Sequence, residues 1–364
     1  GDWVANPERL ENGIKGLSER IEDLGMKFGL WFEPEMVNQD SDLYRKHPDW
    51  IIRTPDRKAS HGRFQYVLDF SRKEVVDEIY NMMEKILSES KVSYIKWDMN
   101  RSITECYSSV LPAQRQGEVY HRYILGVYDL YERLTSRFPK ILFESCASGG
   151  GRFDPGMLYY ASQCWTSDDS DAVERIKIQY GTSYGYPISS MGTHVSMTPN
   201  HQVNRRTPLH TRANVAYFGT FGYELDLNAL TKEEQEEVKK QITFMKQYRH
   251  LFQFGTFYRL KSPFKNNVSA WMVVSEDKKE AVVGWYRVLN GINLPCERLR
   301  LQGLDASMAY EINGDGPAHY GDELVYAGLV TTDVSSGQAD KPEELSQDFE
   351  SRLYILKAVK GGRQ

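Results

Sequence analysis

Several things are scarce in this chain, and each scarcity narrows the possibilities. No stretch of its 364 residues approaches the ~20 consecutive apolar residues of a membrane-spanning helix, which leaves no helical span to place in a bilayer. Basic residues carry no surplus: 45 Lys and Arg against 50 Asp and Glu give a net charge of −5. With no clustered basic patch either, a nucleic-acid partner is not expected. Cysteine is sparse and scattered. Cys106, Cys146, Cys164 and Cys296 form no C-x-x-C pair, so zinc-ribbon and thioredoxin-like readings lose support. Isolated thiols fit a reducing compartment, and the cytoplasm is the expected location. There is no G-x-G-x-x-G turn, no P-loop and no H-E-x-x-H helix, and Pro208 interrupts the stretch holding His194, His201 and His210. Nucleotide-binding and metal-hydrolase readings therefore lose support as well.

What is present is an alternation of short apolar runs with amphipathic segments. Leu10, Ile14, Leu17, Ile21 and Leu24 recur every three or four residues, predicting a helix that Asn6 caps, Pro7 opens and Gly25 ends. A buried strand over 28–32 follows, running into Glu33-Pro34-Glu35. Ser71 is placed to cap a helix carrying Val75, Val76, Ile79, Met82, Met83 and Ile86, after which 92–97 reads as a strand ending at Asp98. A long helix is predicted over 117–138, with Tyr120, Ile124, Val127, Tyr131 and Leu134 on one side. Further strands are expected over 141–143, 163–167, 188–191 and 218–225. Thr231 and Glu234 form a capping box for a helix reaching about Tyr248. Six strands alternating with helices indicate a parallel sheet, and polar residues at the ends of many strands favour a barrel, whose strand ends all face one mouth. From residue 255 short β runs and the turn Asn313-Gly314-Asp315-Gly316 indicate an antiparallel β-sandwich. The expected architecture is thus α/β: a partial (β/α)8 TIM barrel over 1–254, then a small β domain over 255–364.

The residues that can carry chemistry lie at strand ends. On a strand Lys96, Asp98 and Asn100 share one face, and a neighbouring ammonium would keep Asp98 ionised, as a nucleophile must be. A buried structural Lys–Asp pair explains the same spacing. Of the adjacent Asp168 and Asp169, one can enter the barrel mouth while the other caps the next helix; two helix-terminal charges explain them equally well. The loop from Cys146 through Gly149 to Arg152 is rich in glycine, which lets backbone N–H groups approach a ligand. Trp31 and Arg63 are candidates for a sugar-stacking ring and a hydroxyl donor.

Taken together, four segments resemble signatures of glycoside hydrolase family 36, the bacterial melibiose- and raffinose-cleaving α-galactosidases. They are Phe28–Met36, Lys96–Arg101, Glu144–Arg152 and Ser167–Asp171, and Pro187–His194 and Gly219–Asp226 resemble the family's later strands. The resemblance runs in order along essentially the whole chain. It implies a retaining double displacement releasing terminal α-linked galactose, with Asp98 as nucleophile and Asp168 as general acid/base. It further implies that Lys96 and Asn100 bind galactose hydroxyls, that Cys146 and Gly149 meet the 2-hydroxyl region, that Arg63 is the arginine of the loop after the Glu-Pro-Glu strand, and that Trp31 walls the sugar. No metal or cofactor is implied, the partners are α-galactoside oligosaccharides, and full-length relatives are homo-oligomers, commonly tetramers.

The chain departs from the family's pattern at its start. Gly1-Asp2-Trp3 corresponds to the loop after the second barrel strand. The N-terminal β domain, the first strand–helix unit and the second strand with its Asp-Asp-Gly-Trp segment therefore have no counterpart. About six of the eight strands are expected, and the chain alone is expected to be poorly stable and weakly active. The alternatives are an α-N-acetylgalactosaminidase of the same family and a non-catalytic sugar-binding fragment. A Schiff-base aldolase using Lys96 is a more distant one.

Overall fold

Short apolar strands, each followed by an amphipathic helix, fold as β/α units because each helix stripe covers one face of a parallel sheet. The computed structural model describes residues 1–292, 297–331 and 348–359. Cys296 lies outside them. The chain divides into two units, Gly1–Trp165 and Thr166–Gln364.

In the first unit the elements are α1 (Gly13–Asp23), β1 (Phe28–Phe32), β2 (Met36–Asn38), α2 (Asp42–Lys46), β3 (Gln65–Val67), α3 (Lys73–Glu89), β4 (Val92–Trp97), α4 (Val119–Arg137), β5 (Leu142–Ser145), α5 (Pro155–Tyr160) and β6 (Gln163–Trp165). Parallel pairs β1–β4, β4–β5 and β5–β6 make one sheet. The register sets Phe32 beside Trp97 and Trp97 beside Ser145, so three strands end level with one another. The residues that follow them, Glu33, Asp98 and Cys146, are brought to a common edge. Two hydrogen bonds extend the ladder past the strand ends: Asp98 N–H to Phe32 O at 2.8 Å and Cys146 N–H to Trp97 O at 2.7 Å. Beneath this edge Ile95 and Trp97 of β4 pack with Val75, Val76, Ile79 and Met83 of α3 and Tyr123, Val127, Leu130 and Tyr131 of α4 in one buried core. Burying a side chain of this size contributes roughly 1.5–3 kcal/mol.

The second unit contains α6 (Ala172–Thr182), β7 (Met191–Ser196), α7 (Leu209–Ala216), β8 (Thr220–Glu224), α8 (Lys232–Phe254), β9 (Thr256–Lys261), β10 (Val268–Val274), β11 (Glu280–Arg287), β12 (Arg298–Leu299), β13 (Ala309–Ile312), β14 (Asp315–Tyr320), α9 (Gly321–Tyr326), β15 (Leu329–Val330) and β16 (Glu350–Val359). β7 and β8 are parallel, which brings the parallel strands of the two units to the six expected. An antiparallel sheet follows in the order β14-β13-β16-β11-β10-β9. Met272, Val274, Val283, Trp285 and Leu356 of that sheet share a core with Leu299 of β12, Leu301, Leu324 of α9 and Leu329 of β15. The Asn313–Gly316 turn joins β13 to β14, with Asn313, Gly314 and Gly316 at positive φ.

Local hydrogen bonding overrides three of the sequence expectations. Asn6 accepts the Glu8 N–H at 2.8 Å and closes only a turn; Gly13, at φ +59°, then delays α1 until residue 13. The Ser71 hydroxyl is taken by Asp69 at 2.5 Å, so Arg72 becomes the N-cap of α3. Residues 188–190 are a 3₁₀ turn rather than a strand, because the Ser190 N–H and hydroxyl both donate to Pro187 O, at 3.0 and 2.7 Å. Tyr120 points outward, and Tyr123 takes the inward position on α4. The capping box forms as expected, Thr231 Oγ1 accepting from Glu234 N–H at 3.2 Å, although α8 continues to Phe254. Among the described residues no helix is long and apolar enough to cross a membrane.

Candidate active site

Asp98 follows the last residue of β4 and is buried, with 7% of its surface exposed. A lone buried carboxylate would take up a proton, because burial disfavours the charged form. Here burial does push the Asp98 pKa up, but hydrogen bonds from Asn100, the Cys146 thiol, the Trp31 indole and the Met99 N–H outweigh it and leave it below the usual carboxylate value. Asn100 Nδ2 donates to Oδ2 at 2.7 Å, Trp31 Nε1 to the same oxygen at 3.1 Å, and Met99 N–H to Oδ1 at 2.9 Å. The result is a carboxylate that is ionised, aimed and partly shielded from water, which are the properties of a carboxylate nucleophile.

Each donor is itself held in place. The Asn100 N–H donates to Glu33 Oε1 at 2.8 Å, and Ser148 Oγ donates to Asn100 Oδ1 at 3.3 Å. Trp31 is 46% exposed, so its indole edge reaches the nucleophile while its ring faces outward. Trp31 is therefore not a buried core tryptophan. Cys146 is 1% exposed, and its pKa is pushed up, first by burial and then by the Asp98 charge; the thiol stays protonated and acts as a donor. Gly149 completes the loop at φ +84°, a conformation that favours glycine, and its carbonyl accepts the Ala147 N–H at 2.9 Å.

Lys96 pairs with a carboxylate on the neighbouring strand. Its ammonium pairs with the buried Glu144 at 3.4 Å and lies 5.1 Å from the Trp165 ring centroid, and the groups that act most strongly on Asp98 are hydrogen-bond donors. In-register pairing explains this, because Lys96 stands directly beside Glu144 on the neighbouring strand. Trp31, Asp98, Asn100 and Cys146 are thus joined into one hydrogen-bonded group, which Gly149 enters through a backbone hydrogen bond to the Cys146 side chain. Arg63 is not among them. It is exposed at the tip of the Gly62–Gln65 turn at φ +53°, next to Phe64 at φ +61°. Glu33 was legible only as part of a motif, and nothing in its local sequence shows that it grips the backbone of Asn100.

Asp168 belongs to the second unit and is exposed. Its loop is tied down on both sides. The buried guanidinium of Arg175 donates to Ser167 O at 3.1 Å and to Gly192 O at 2.6 Å, while Asn200 Nδ2 donates to Ser170 Oγ at 3.1 Å. The helix cap expected from the Asp168–Asp169 pair comes instead from Asp171, which accepts the Val173 and Glu174 N–H groups at 3.0 and 3.1 Å. Asp169 accepts the Asp171 N–H at 3.1 Å and so shapes the turn ahead of α6. Among the described residues no group of three or more His, Cys, Asp or Glu side chains is placed to hold a metal ion.

Residues 1–255 match the melibiase family, and residues 268–356 match the glycosyl hydrolase family 36 C-terminal domain. The chain is 54% identical over 359 residues to α-galactosidase AgaA of Geobacillus stearothermophilus, covering 99% of the chain and 48% of that protein. It is 47% identical over 359 residues to α-galactosidase Mel36A of Lactobacillus acidophilus, covering 99% of the chain and 47% of that protein. The crystal structure of a doubly substituted AgaA in complex with raffinose superimposes with a TM-score of 0.94 at 54% identity, over 99% of the chain and 48% of that structure. Likeness of this extent establishes the fold class as part of a β/α barrel followed by an antiparallel β region. The chain spans about half the length of the curated relatives it matches.

Proposed function

Because the chain belongs to the melibiase family of glycosyl hydrolases, we propose that it forms the catalytic part of a retaining α-galactosidase acting on oligosaccharides such as melibiose and raffinose. The observation that carries this reading is Asp98, a buried carboxylate kept ionised by surrounding donors at the carboxyl edge of a parallel sheet. Asp98 attacks the anomeric carbon while Asp168 protonates the departing glycosidic oxygen. A galactosyl ester forms on Asp98, Asp168 then takes a proton from water, and the second inversion restores the α configuration. The environments suit these roles: the nucleophile is enclosed and fixed, whereas Asp168, which must exchange protons with leaving group and water, is exposed on a braced loop.

Lys96, Asn100, Trp31, Cys146, Gly149 and Arg63 complete the sugar site in this proposal. Cys146 is buried and its thiol is engaged by Asp98, leaving little space for a 2-acetamido group and favouring galactose over N-acetylgalactosamine. The division into a catalytic part over 1–254 and a β part over 255–364, a cytoplasmic location and a homo-oligomeric full-length protein belong to the same proposal. The raffinose bound to the AgaA variant supports the substrate class. The test is hydrolysis of a chromogenic α-galactoside. Asp98→Ala abolishes turnover, while Asp168→Ala keeps slow turnover of substrates with good leaving groups and gains rate with added azide. Unchanged turnover by Asp98→Ala would overturn the proposal.

A further inference from the structure

Beneath the Asp98 group lies a second carboxylate, which no step of the reaction uses. Glu35 is 0% exposed and its two oxygens receive four donors. Trp97 Nε1 and Arg152 Nη2 donate to Oε1 at 2.9 Å each, Arg152 Nη1 donates to Oε2 at 2.9 Å, and the Tyr123 hydroxyl completes the set on Oε2. These donors come from different segments. Trp97 immediately precedes Asp98, Tyr123 is on α4, and Arg152 closes the loop that carries Cys146, Ser148 and Gly149. Trp97 is fixed from its other face by Tyr131, stacked at 3.9 Å and 15°.

We propose that Glu35 and Arg152 are positioning residues that clamp the Cys146–Gly149 loop to the strand end bearing Asp98; this rests on the reading of Asp98 as the nucleophile. Two considerations favour a clamp over simple cohesion. A buried ion pair adds little net stability compared with apolar packing, but a bidentate guanidinium fork on a saturated carboxylate fixes distance and angle. The loop also needs an anchor, because Ser148 at φ +50° and Gly149 at φ +84° occupy the left-handed region in succession, a strained path for Ser148. From this path Ser148 and Cys146 reach Asn100 and Asp98. If the fork loosens, the donors around the nucleophile drift, and the sugar contacts of the same loop drift with them.

The test uses the full chain with Arg152→Lys, which keeps the charge and removes the fork. Three quantities are measured: the thermal midpoint, the rate at which iodoacetamide alkylates Cys146 by peptide mass mapping, and kcat and KM for a chromogenic α-galactoside. The expected result is a folded protein in which Cys146 alkylates at least ~10-fold faster and kcat falls ~10–100-fold, the penalty for a misplacement of about 1 Å, while KM rises by less than kcat falls. Glu35→Gln gives the same pattern and serves if Arg152→Lys does not fold. A folded variant whose Cys146 is as protected as in the parent, or whose KM rises with kcat unchanged, overturns the clamp. Faster alkylation in a chain whose parent shows no galactoside turnover supports the clamp and counts against the α-galactosidase reading instead.

Discussion

Replacing Asn100 by alanine tests the electrostatics of the nucleophile directly. Its amide makes the shortest of the described bonds to the Asp98 carboxylate, 2.7 Å to Oδ2. A hydrogen bond to a charged group contributes roughly 1.5–3 kcal/mol, and one pKa unit corresponds to about 1.4 kcal/mol, which sets a ceiling of about one to two units on the effect. The freed lone pair is partly recovered by the Trp31 indole, which already addresses the same oxygen from a half-exposed position, so about one unit is expected. The sign follows from the role of the group. Asp98 must be ionised to attack, and its folded-state pKa is depressed, so activity and the associated stability are present at higher pH and are lost as pH falls through that pKa. Removing a donor raises the pKa, and the acid limb of the kcat/KM profile moves up by about one pH unit. The height of the plateau also falls if Asn100 binds a sugar hydroxyl, so the position of the limb is the quantity to read. The matching stability loss, ~1.4 kcal/mol by urea unfolding at pH 7, shrinks once pH drops below the ordinary carboxylate range. An acid limb that stays in place in Asn100→Ala would refute the claim that hydrogen bonds keep Asp98 ionised.

Other outcomes follow from the same structure. Gly149→Ala places a Cβ at φ +84° and costs about 1–2 kcal/mol of stability in thermal unfolding, with a larger proportional loss of hydrolysis because the Cys146–Ser148 donors move with the loop. Thr231→Ala removes the capping box of α8, costs about 1 kcal/mol in urea unfolding and leaves kcat unchanged. In the native protein Cys106, which is exposed, reacts with a thiol reagent within minutes, while Cys146 and Cys164 react only on unfolding; mass mapping of the labelled peptides separates them.

The strand and helix pattern was legible because burial imposes periods that a sequence displays. β4 ends where the apolar run over 92–97 gives way to Asp98, and α8 opens at its capping box. Boundaries failed where a side chain had a local alternative to helix or strand, as at Asn6, Ser71 and Ser190, and such competitions depend on geometry rather than composition. In the candidate site, the grouping of Asp98 with Asn100 followed from strand alternation. The roles of Glu33 and Glu35 did not. Both lie just past β1, yet one holds the backbone of Asn100 and the other holds Arg152, distant in sequence and brought close only by the ladder of level strand ends. The ion pair of Lys96 with Glu144 was not legible, because it depends on the register of the adjacent strand, which one strand cannot reveal. The cap on α6 was given to the wrong aspartate because three carboxylates within four residues compete, and backbone direction selects Asp171.

The most direct measurement is to trap the intermediate. Incubation with a fluorinated galactosyl fluoride that forms the ester quickly and hydrolyses it slowly, followed by denaturing mass spectrometry and peptide mapping, locates the sugar. An adduct of one fluorogalactosyl group on the peptide containing Asp98, absent from Asp98→Ala, is the predicted result. A sugar attached to any other side chain, or turnover of the reagent with inversion at the anomeric carbon and no covalent species, would contradict the account.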